Sequence, residues 1–180
     1  PLTGLWVADV LQRAGAPAGV VNVLTTSKSG PLVAKILEDP RVMTLSFTGS
    51  TYVGKMLLKQ TADRVLRSSM ELGGNAPFLI LEGADVDKAV QGAMVAKMRN
   101  GGAACTAANR FYVHESLAND FSKKFAAALS ALKVGPGIDP SHDLGAMVSA
   151  KEADKIRALV EQAAGEGGDV VKTAAAPKGA

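Results

Sequence analysis

The sequence has a single cysteine, Cys105, among its 180 residues. A lone cysteine cannot form an internal disulfide, which excludes a disulfide-stapled secreted domain and predicts a cytoplasmic location. The two histidines, His114 and His142, have no zinc-ligand spacing relative to Cys105. No metal site is therefore predicted.

Aromatic residues and long apolar runs are also scarce. Phe, Trp and Tyr make up 4% of the sequence, and the basic residues behind the net charge of +3 are scattered. Neither feature offers nucleic acid a stacking platform or a basic patch. No apolar run approaches the ~18 residues that span a bilayer, and no signal peptide is recognisable. We therefore expect neither a nucleic-acid partner nor a membrane partner.

The apolar residues, 47% of the chain, occur in short segments separated by turns. The pattern predicts strands over residues 20–24, 43–47, 65–70, 77–81 and 110–113, with another beginning at 168. It predicts helices over residues 3–14, 30–38, 51–60, 86–98, 117–132 and 150–165. Strands that alternate with helices through short connections predict an α/β fold with a parallel sheet covered by helices.

The segment Phe-Thr-Gly-Ser-Thr-Tyr-Val-Gly, residues 47–54, lies where a predicted strand passes into a predicted helix. Gly49 permits the turn, Ser50 or Thr51 can cap the helix, and the free N–H groups of its first turn can bind a phosphate. The segment does not match the G-x-G-x-x-G dinucleotide fingerprint. Taken alone, a capped helix without a ligand is the more common explanation.

A carboxylate and a thiol are the candidate catalytic groups. Glu71 begins the segment Glu-Leu-Gly-Gly-Asn, whose glycines allow the backbone to approach a ligand. Cys105 follows 34 residues later (105 − 71) among small residues that leave its sulfur accessible. Taken singly, a solvated glutamate and a buried, inert cysteine are the commoner states. The pair predicts a general base and a nucleophile only if the fold brings them together.

These motifs, in this order and spacing, resemble the aldehyde dehydrogenase superfamily. The resemblance covers nearly the whole chain, and around residues 98–100 and 105–110 it is most like succinate-semialdehyde dehydrogenases. It implies that residues 1–71 are the C-terminal part of a dinucleotide-binding domain, half of a Rossmann-type parallel sheet. Residues 72–180 are then the N-terminal part of an α/β catalytic domain. Because Pro1 is not an initiator residue, we expect the sequence to be a central fragment.

The resemblance also implies the chemistry. Cys105 attacks an aldehyde, succinate semialdehyde by the resemblance, and its N–H forms half of an oxyanion hole. Glu71 activates the water that hydrolyses the resulting thioester to succinate. Arg99 contacts the far carboxylate of the substrate, although a cation at a helix C-terminus also complements the helix dipole by itself, worth ~0.3–1 kcal/mol.

For the cofactor, the resemblance implies that Gly49 and Ser50 hold the pyrophosphate of NAD or NADP, and that the backbone at Leu72 and Gly73 faces the nicotinamide. Both cofactors stay open, because the family's ribose-binding residues have no counterpart in this sequence. The full-length chain is expected to be a homo-oligomer, a dimer or tetramer, and the 180-residue chain alone to be inactive. Ala107 stands where some relatives have a second cysteine, which excludes a disulfide switch within this loop.

Three alternatives remain at this point. The chain could act by the same mechanism on another aliphatic aldehyde. It could be a non-catalytic α/β domain whose cysteine is structural, buried and unreactive. It could also keep the fold and use the thiol of Cys105 as a peroxide sensor, which would be oxidised without aldehyde turnover.

Overall fold

The computed structural model describes residues 1–171. The chain divides into two compact units, Pro1–Leu72 and Gly73–Ala180, of which the second is described up to Val171. Each unit contains one two-stranded parallel sheet with helices packed against it. The predicted α/β class with parallel strand pairing is therefore confirmed.

The first unit is built around a parallel strand–helix–strand crossover. Its elements are α1 (Leu2–Arg13), α2 (Ser29–Leu37), β1 (Thr44–Gly49), α3 (Thr51–Ala62) and β2 (Arg67–Leu72). Strands β1 and β2 pair in parallel, with Gly49 opposite Leu72. A Cβ added to Gly54 of α3 would lie 2.6 Å from a methyl carbon of Leu72. The missing side chain at Gly54 thus lets α3 pack closely on the end of β2.

Arg64, which lies between α3 and β2, binds the segment that connects α2 to β1. Its guanidinium donates hydrogen bonds of 2.7–3.0 Å to the carbonyls of Leu37, Asp39, Pro40 and Val42. These carbonyls belong to the end of α2 and to the turn that leads into β1. One side chain thus satisfies the last carbonyl of α2, which has no intrahelical partner, together with three carbonyls of the turn, and fixes the entry to β1.

The second unit repeats the crossover and contains the main apolar core. Its elements are β3 (Ala76–Ile80), α4 (Val86–Met98), a 3-10 turn (Arg99–Gly102), β4 (Ala108–Val113), α5 (Glu115–Ser130) and α6 (Ala150–Gly165). Strands β3 and β4 pair in parallel. Ile80, Val90, Ala93 and Phe121 form the buried cluster, surrounded by partly buried apolar side chains. Burying such side chains stabilises the unit by about 1.5–3 kcal/mol each, which anchors α4 and α5 on the sheet.

Two helices of the second unit begin after side-chain caps. The carboxylate of Asp85 accepts hydrogen bonds from the N–H groups of Asp87 and Lys88, and α4 covers the predicted residues. Ser149 caps α6 in the same way through Glu152 N–H. Helix α5 begins two residues earlier than predicted, because the Nδ1 atom of His114 acts as its cap. None of the helices within residues 1–171 is long and apolar enough to cross a bilayer.

Two predicted strands are wrong. Residues 20–24 form no strand and are all exposed. The side-chain amide of Asn22 instead donates to the carbonyl of Gly19, closing a turn. Residues 168–171 are also irregular, and the remainder of that predicted segment lies outside the described residues. An apolar run forms a strand only where a neighbouring strand pairs with its backbone, and neither segment has such a neighbour within residues 1–171.

Candidate active site

The turn between β1 and α3 presents hydrogen-bond donors at a helix N-terminus. Gly49 ends β1, and a Cβ at this position would lie 2.5 Å from the ring of Phe47. Ser50 caps α3, with its Oγ accepting a hydrogen bond of 3.3 Å from the N–H of Val53. The first turn of α3 contains no acidic residue. The exposed N–H and hydroxyl groups of Ser50 and Thr51 therefore fit an anionic pyrophosphate.

The register of the first sheet brings this turn beside Glu71. Thr48 pairs with Glu71 and Gly49 pairs with Leu72, so both motifs lie at the carboxyl ends of adjacent parallel strands. Ligands of parallel α/β sheets bind at this edge. Leu72 points toward α3, where it meets Gly54. Because side chains alternate along a strand, Glu71 projects from the opposite face and is exposed.

The cysteine loop begins with three residues in the left-handed region. Asn100, Gly101 and Gly102 have φ values of 53°, 62° and 80°, which turn the chain away from the axis of α4. Glycine and asparagine are the residues that adopt this conformation most readily. Cys105 follows as an exposed free thiol, and Ala107 is buried where β4 is about to begin. This exposure disagrees with the alternative in which the cysteine is buried.

Two side-chain bridges close the cysteine loop. The Lys97 ammonium donates to the Asn109 side-chain oxygen at 2.7 Å. Closer to Cys105 in sequence, Arg99 Nη2 donates to the hydroxyl of Thr106 at 3.3 Å. The first bridge joins the end of α4 to the start of β4, and the second joins the 3-10 turn to the residue after Cys105. The position of Cys105, next to Thr106, is therefore fixed from both sides of the loop.

The segment that follows Leu72 lies against the same loop, within the second unit. A Cβ on Gly74 would be 2.6 Å from the carbonyl oxygen of Cys105, whereas nothing lies within 4 Å of that position at Gly73. The Arg110 guanidinium donates two hydrogen bonds, of 3.2 and 2.7 Å, to the carbonyl of Asn75. A side chain could therefore be accommodated at Gly73, whereas the close approach of the Cys105 carbonyl requires a glycine at Gly74.

The structure thus groups the predicted site residues into two sets. Gly49, Ser50, Glu71 and Leu72 lie together in the first unit. Gly73, Arg99 and Cys105 belong to the second unit. Because Glu71 and Cys105 are in different units, their pairing as base and nucleophile stays a prediction. No group of three or more potential metal ligands occurs among His, Cys, Asp and Glu of residues 1–171.

Four residues of the second unit's site were not predicted. They are Gly74, Lys97, Asn109 and Arg110, and each acts through a contact with a residue distant in sequence. The one local signal was the glycine pair that contains Gly74, but only Gly73 of that pair was assigned to the site. The sequence gives no sign that the second of them contacts the cysteine loop.

Known proteins resemble this chain over nearly its whole length. A sequence model described as the aldehyde dehydrogenase family matches residues 1–179. The succinate-semialdehyde dehydrogenase of Paenarthrobacter nicotinovorans is 52% identical over 177 residues, 98% of this chain and 39% of that protein. The glutarate-semialdehyde dehydrogenase of Pseudomonas putida is 39% identical over 171 residues, 95% of this chain and 35% of that protein.

Solved structures give the same result. The crystal structure of an NADP-dependent enzyme from Escherichia coli matches with a TM-score of 0.91 and 41% identity. That match covers 96% of this chain and 36% of the other. The chain therefore spans less than two fifths of the length of the relatives that it matches.

Proposed function

Because this chain belongs to the aldehyde dehydrogenase family, we propose that the full-length protein oxidises an aldehyde to a carboxylate with NAD or NADP. We propose succinate semialdehyde as the substrate. The observation that carries the proposal is the exposed thiol of Cys105, at a loop closed by two side-chain bridges. A thiol that is accessible and also fixed in position suits a nucleophile.

Each step assigns one task to a residue of this chain. The thiolate of Cys105 attacks the aldehyde carbon, forming a C–S bond and an oxyanion that the Cys105 N–H helps to stabilise. When bound, the nicotinamide supplies a hydride acceptor, and loss of hydride leaves a thioester on Cys105. Glu71 takes a proton from water, which attacks the thioester. The C–S bond then breaks, which regenerates the Cys105 thiolate and releases the carboxylate product.

For the cofactor, we assign Gly49 and Ser50 to the pyrophosphate and the backbone of Leu72 and Gly73 to the nicotinamide. Support for the first pair comes from the donor set at the start of α3. Residues 1–71 would then belong to the dinucleotide-binding domain and residues 72–180 to the catalytic domain. A cytoplasmic location and a homodimeric or tetrameric assembly complete the proposal for the full-length chain.

The direct test uses the full-length protein. We expect it to reduce NAD+ or NADP+ when succinate semialdehyde is added, and we expect stoichiometric alkylation of Cys105 to abolish that reduction. Reduction with butyraldehyde alone would favour another aliphatic aldehyde as the substrate. If no aldehyde supports reduction and peroxide oxidises Cys105 instead, the thiol is a sensor and the proposed function is wrong.

The proposed substrate depends on Arg99. Succinate and glutarate semialdehydes, the compounds named for two relatives, both have a carboxylate at the end opposite the aldehyde. The exposed Arg99 guanidinium is anchored on the cysteine loop by Thr106, one residue from Cys105. Its planar fork can donate to both oxygens of such a carboxylate.

Replacing Arg99 by leucine in the full-length enzyme tests this role. A hydrogen bond to a charged group is worth about 1.5–3 kcal/mol, so kcat/KM for succinate semialdehyde should fall roughly ten- to a hundredfold. Butyraldehyde has no carboxylate for Arg99 to bind, so kcat/KM for butyraldehyde should fall far less. The measurement is the ratio of kcat/KM for the two aldehydes, before and after the substitution.

The matched control for Arg99→Leu is Thr106→Val. This change removes the partner of Arg99 within the loop but keeps the guanidinium and the side-chain volume. If Arg99 binds substrate, the Thr106 variant keeps the preference for succinate semialdehyde. An equal loss on both aldehydes in both variants would show that Arg99 serves only to hold the loop, and the assigned substrate would lose its structural support.

The 180-residue chain by itself is expected to be inactive and poorly stable. No residue of α1 is buried, and Trp6 is 62% exposed. Sheets of two strands also leave open edges that favour aggregation. Thermal unfolding and aldehyde turnover of the purified chain measure both properties. Cooperative unfolding together with aldehyde oxidation would contradict this prediction.

A further inference from the structure

The residue just before β3 is attached to β4 by a side chain rather than by the strand ladder. The pairing of β3 and β4 is irregular at this end, where the register shifts between Ala76 and Pro77. Arg110 lies opposite Pro77, which has no N–H to donate. The Arg110 guanidinium instead reaches beyond the ladder to the carbonyl of Asn75.

A second contact constrains the same stretch of backbone. The Cys105 carbonyl lies so close to Gly74 that no Cβ could be placed there. Gly74 and Asn75 are therefore held between the residue that bears the thiol and a guanidinium five residues after it (110 − 105). Any movement of this stretch relative to the cysteine loop must break the hydrogen bonds of Arg110 or compress Gly74 against Cys105.

We propose that Arg110 is a positioning residue that fixes the chain between Glu71 and β3 to β4, the strand that follows the cysteine loop. The inference rests on the proposed function, in which Glu71 activates the water for thioester hydrolysis. Glu71 lies four residues before Asn75 (75 − 71). A fixed Asn75 carbonyl limits the displacement of Glu71 during hydrolysis, because only a short stretch of backbone joins the two residues. Small displacements of a catalytic group are costly to its rate.

The expected defect is selective for one step. Attack by Cys105 depends on the loop that is braced by the Lys97–Asn109 and Arg99–Thr106 bridges, and neither bridge includes Arg110. Hydrolysis depends in addition on Glu71. Loss of Arg110 should therefore slow deacylation more than acylation. A purely structural role would lower stability or slow both steps alike.

The test is rapid-mixing kinetics of the full-length Arg110→Met variant with succinate semialdehyde. We expect steady-state turnover to fall about tenfold, while a burst of reduced cofactor appears at a nearly unchanged rate. Arg110→Lys retains one donor for the Asn75 carbonyl and should restore part of the turnover. If the Met variant does not fold, the Lys variant should show a smaller change of the same kind.

Two further variants separate the possible failures. Arg157→Met removes an arginine of α6 that pairs with Asp154 on the exposed helix surface, and should behave as the wild type. Glu71→Gln should give a burst if the proposed function is right. A burst with Glu71→Gln but equal slowing of both steps in the Arg110 variants overturns this inference alone. No burst and no loss of turnover with Glu71→Gln overturns the proposed function itself.

Discussion

Replacing Cys105 by serine in the full-length protein is expected to reduce aldehyde oxidation to background. The thiolate is intrinsically a strong nucleophile, whereas a serine hydroxyl stays protonated unless an adjacent base activates it. The substitution is nearly isosteric at an exposed position, so the fold should be unaffected. Absorbance of the reduced cofactor measures turnover, and the melting temperature reports the integrity of the fold.

Ala103→Ser is the matched control for the cysteine substitution. It adds the same hydroxyl to an exposed position of the same loop, two residues before the thiol (105 − 103), and leaves Cys105 intact. We expect this variant to remain active. Undiminished turnover of Cys105→Ser would exclude covalent catalysis by this residue. Loss of activity in both variants would instead indicate that the loop tolerates no hydroxyl.

The local signals in the sequence were sufficient for most of the secondary structure. Helix α4 matches its prediction residue for residue, because Asp85 caps it and Arg99-Asn-Gly-Gly ends it with left-handed residues. Helix α6 likewise begins after its predicted serine cap. A cap or a left-handed turn is determined by a few adjacent residues, which is why single-sequence reasoning identifies it.

Strand predictions were less secure because a strand needs a partner. Residues 20–24 are more apolar than β1, yet β1 pairs with β2 and residues 20–24 pair with nothing among the described residues. The sequence alone does not indicate which apolar segment will pair with another strand. Strand β4 also begins earlier than predicted, at Ala108, where pairing with Ala76 starts.

The candidate site shows the same division between local and long-range information. Gly49, Ser50, Glu71 and Cys105 were identified from motifs whose members are close in sequence. The Arg110–Asn75 contact joins residues 35 apart. Nothing about an arginine at the start of a strand predicts that its guanidinium binds a distant carbonyl. Such contacts become visible only when the fold is known.

The second prediction with a large expected effect concerns Glu71. Glutamine has nearly the same shape as glutamate but cannot accept a proton from water, so Glu71→Gln should allow acylation and block hydrolysis. General-base catalysis contributes roughly 10²–10⁴-fold, and steady-state turnover should fall by that factor. The first turnover should survive as a burst of about one equivalent of reduced cofactor per active site, because acylation does not need the base.

Glu82→Gln is the control, since it makes the same change of charge at an exposed loop glutamate outside the proposed site. It should retain wild-type turnover. Mass spectrometry of the quenched Glu71→Gln enzyme should detect an acyl group on Cys105, which links the burst to the thioester. If steady-state turnover is unchanged, Glu71 is not the base. If burst and turnover disappear together, Glu71 is needed before the thioester forms, and its role then lies in acylation rather than in hydrolysis.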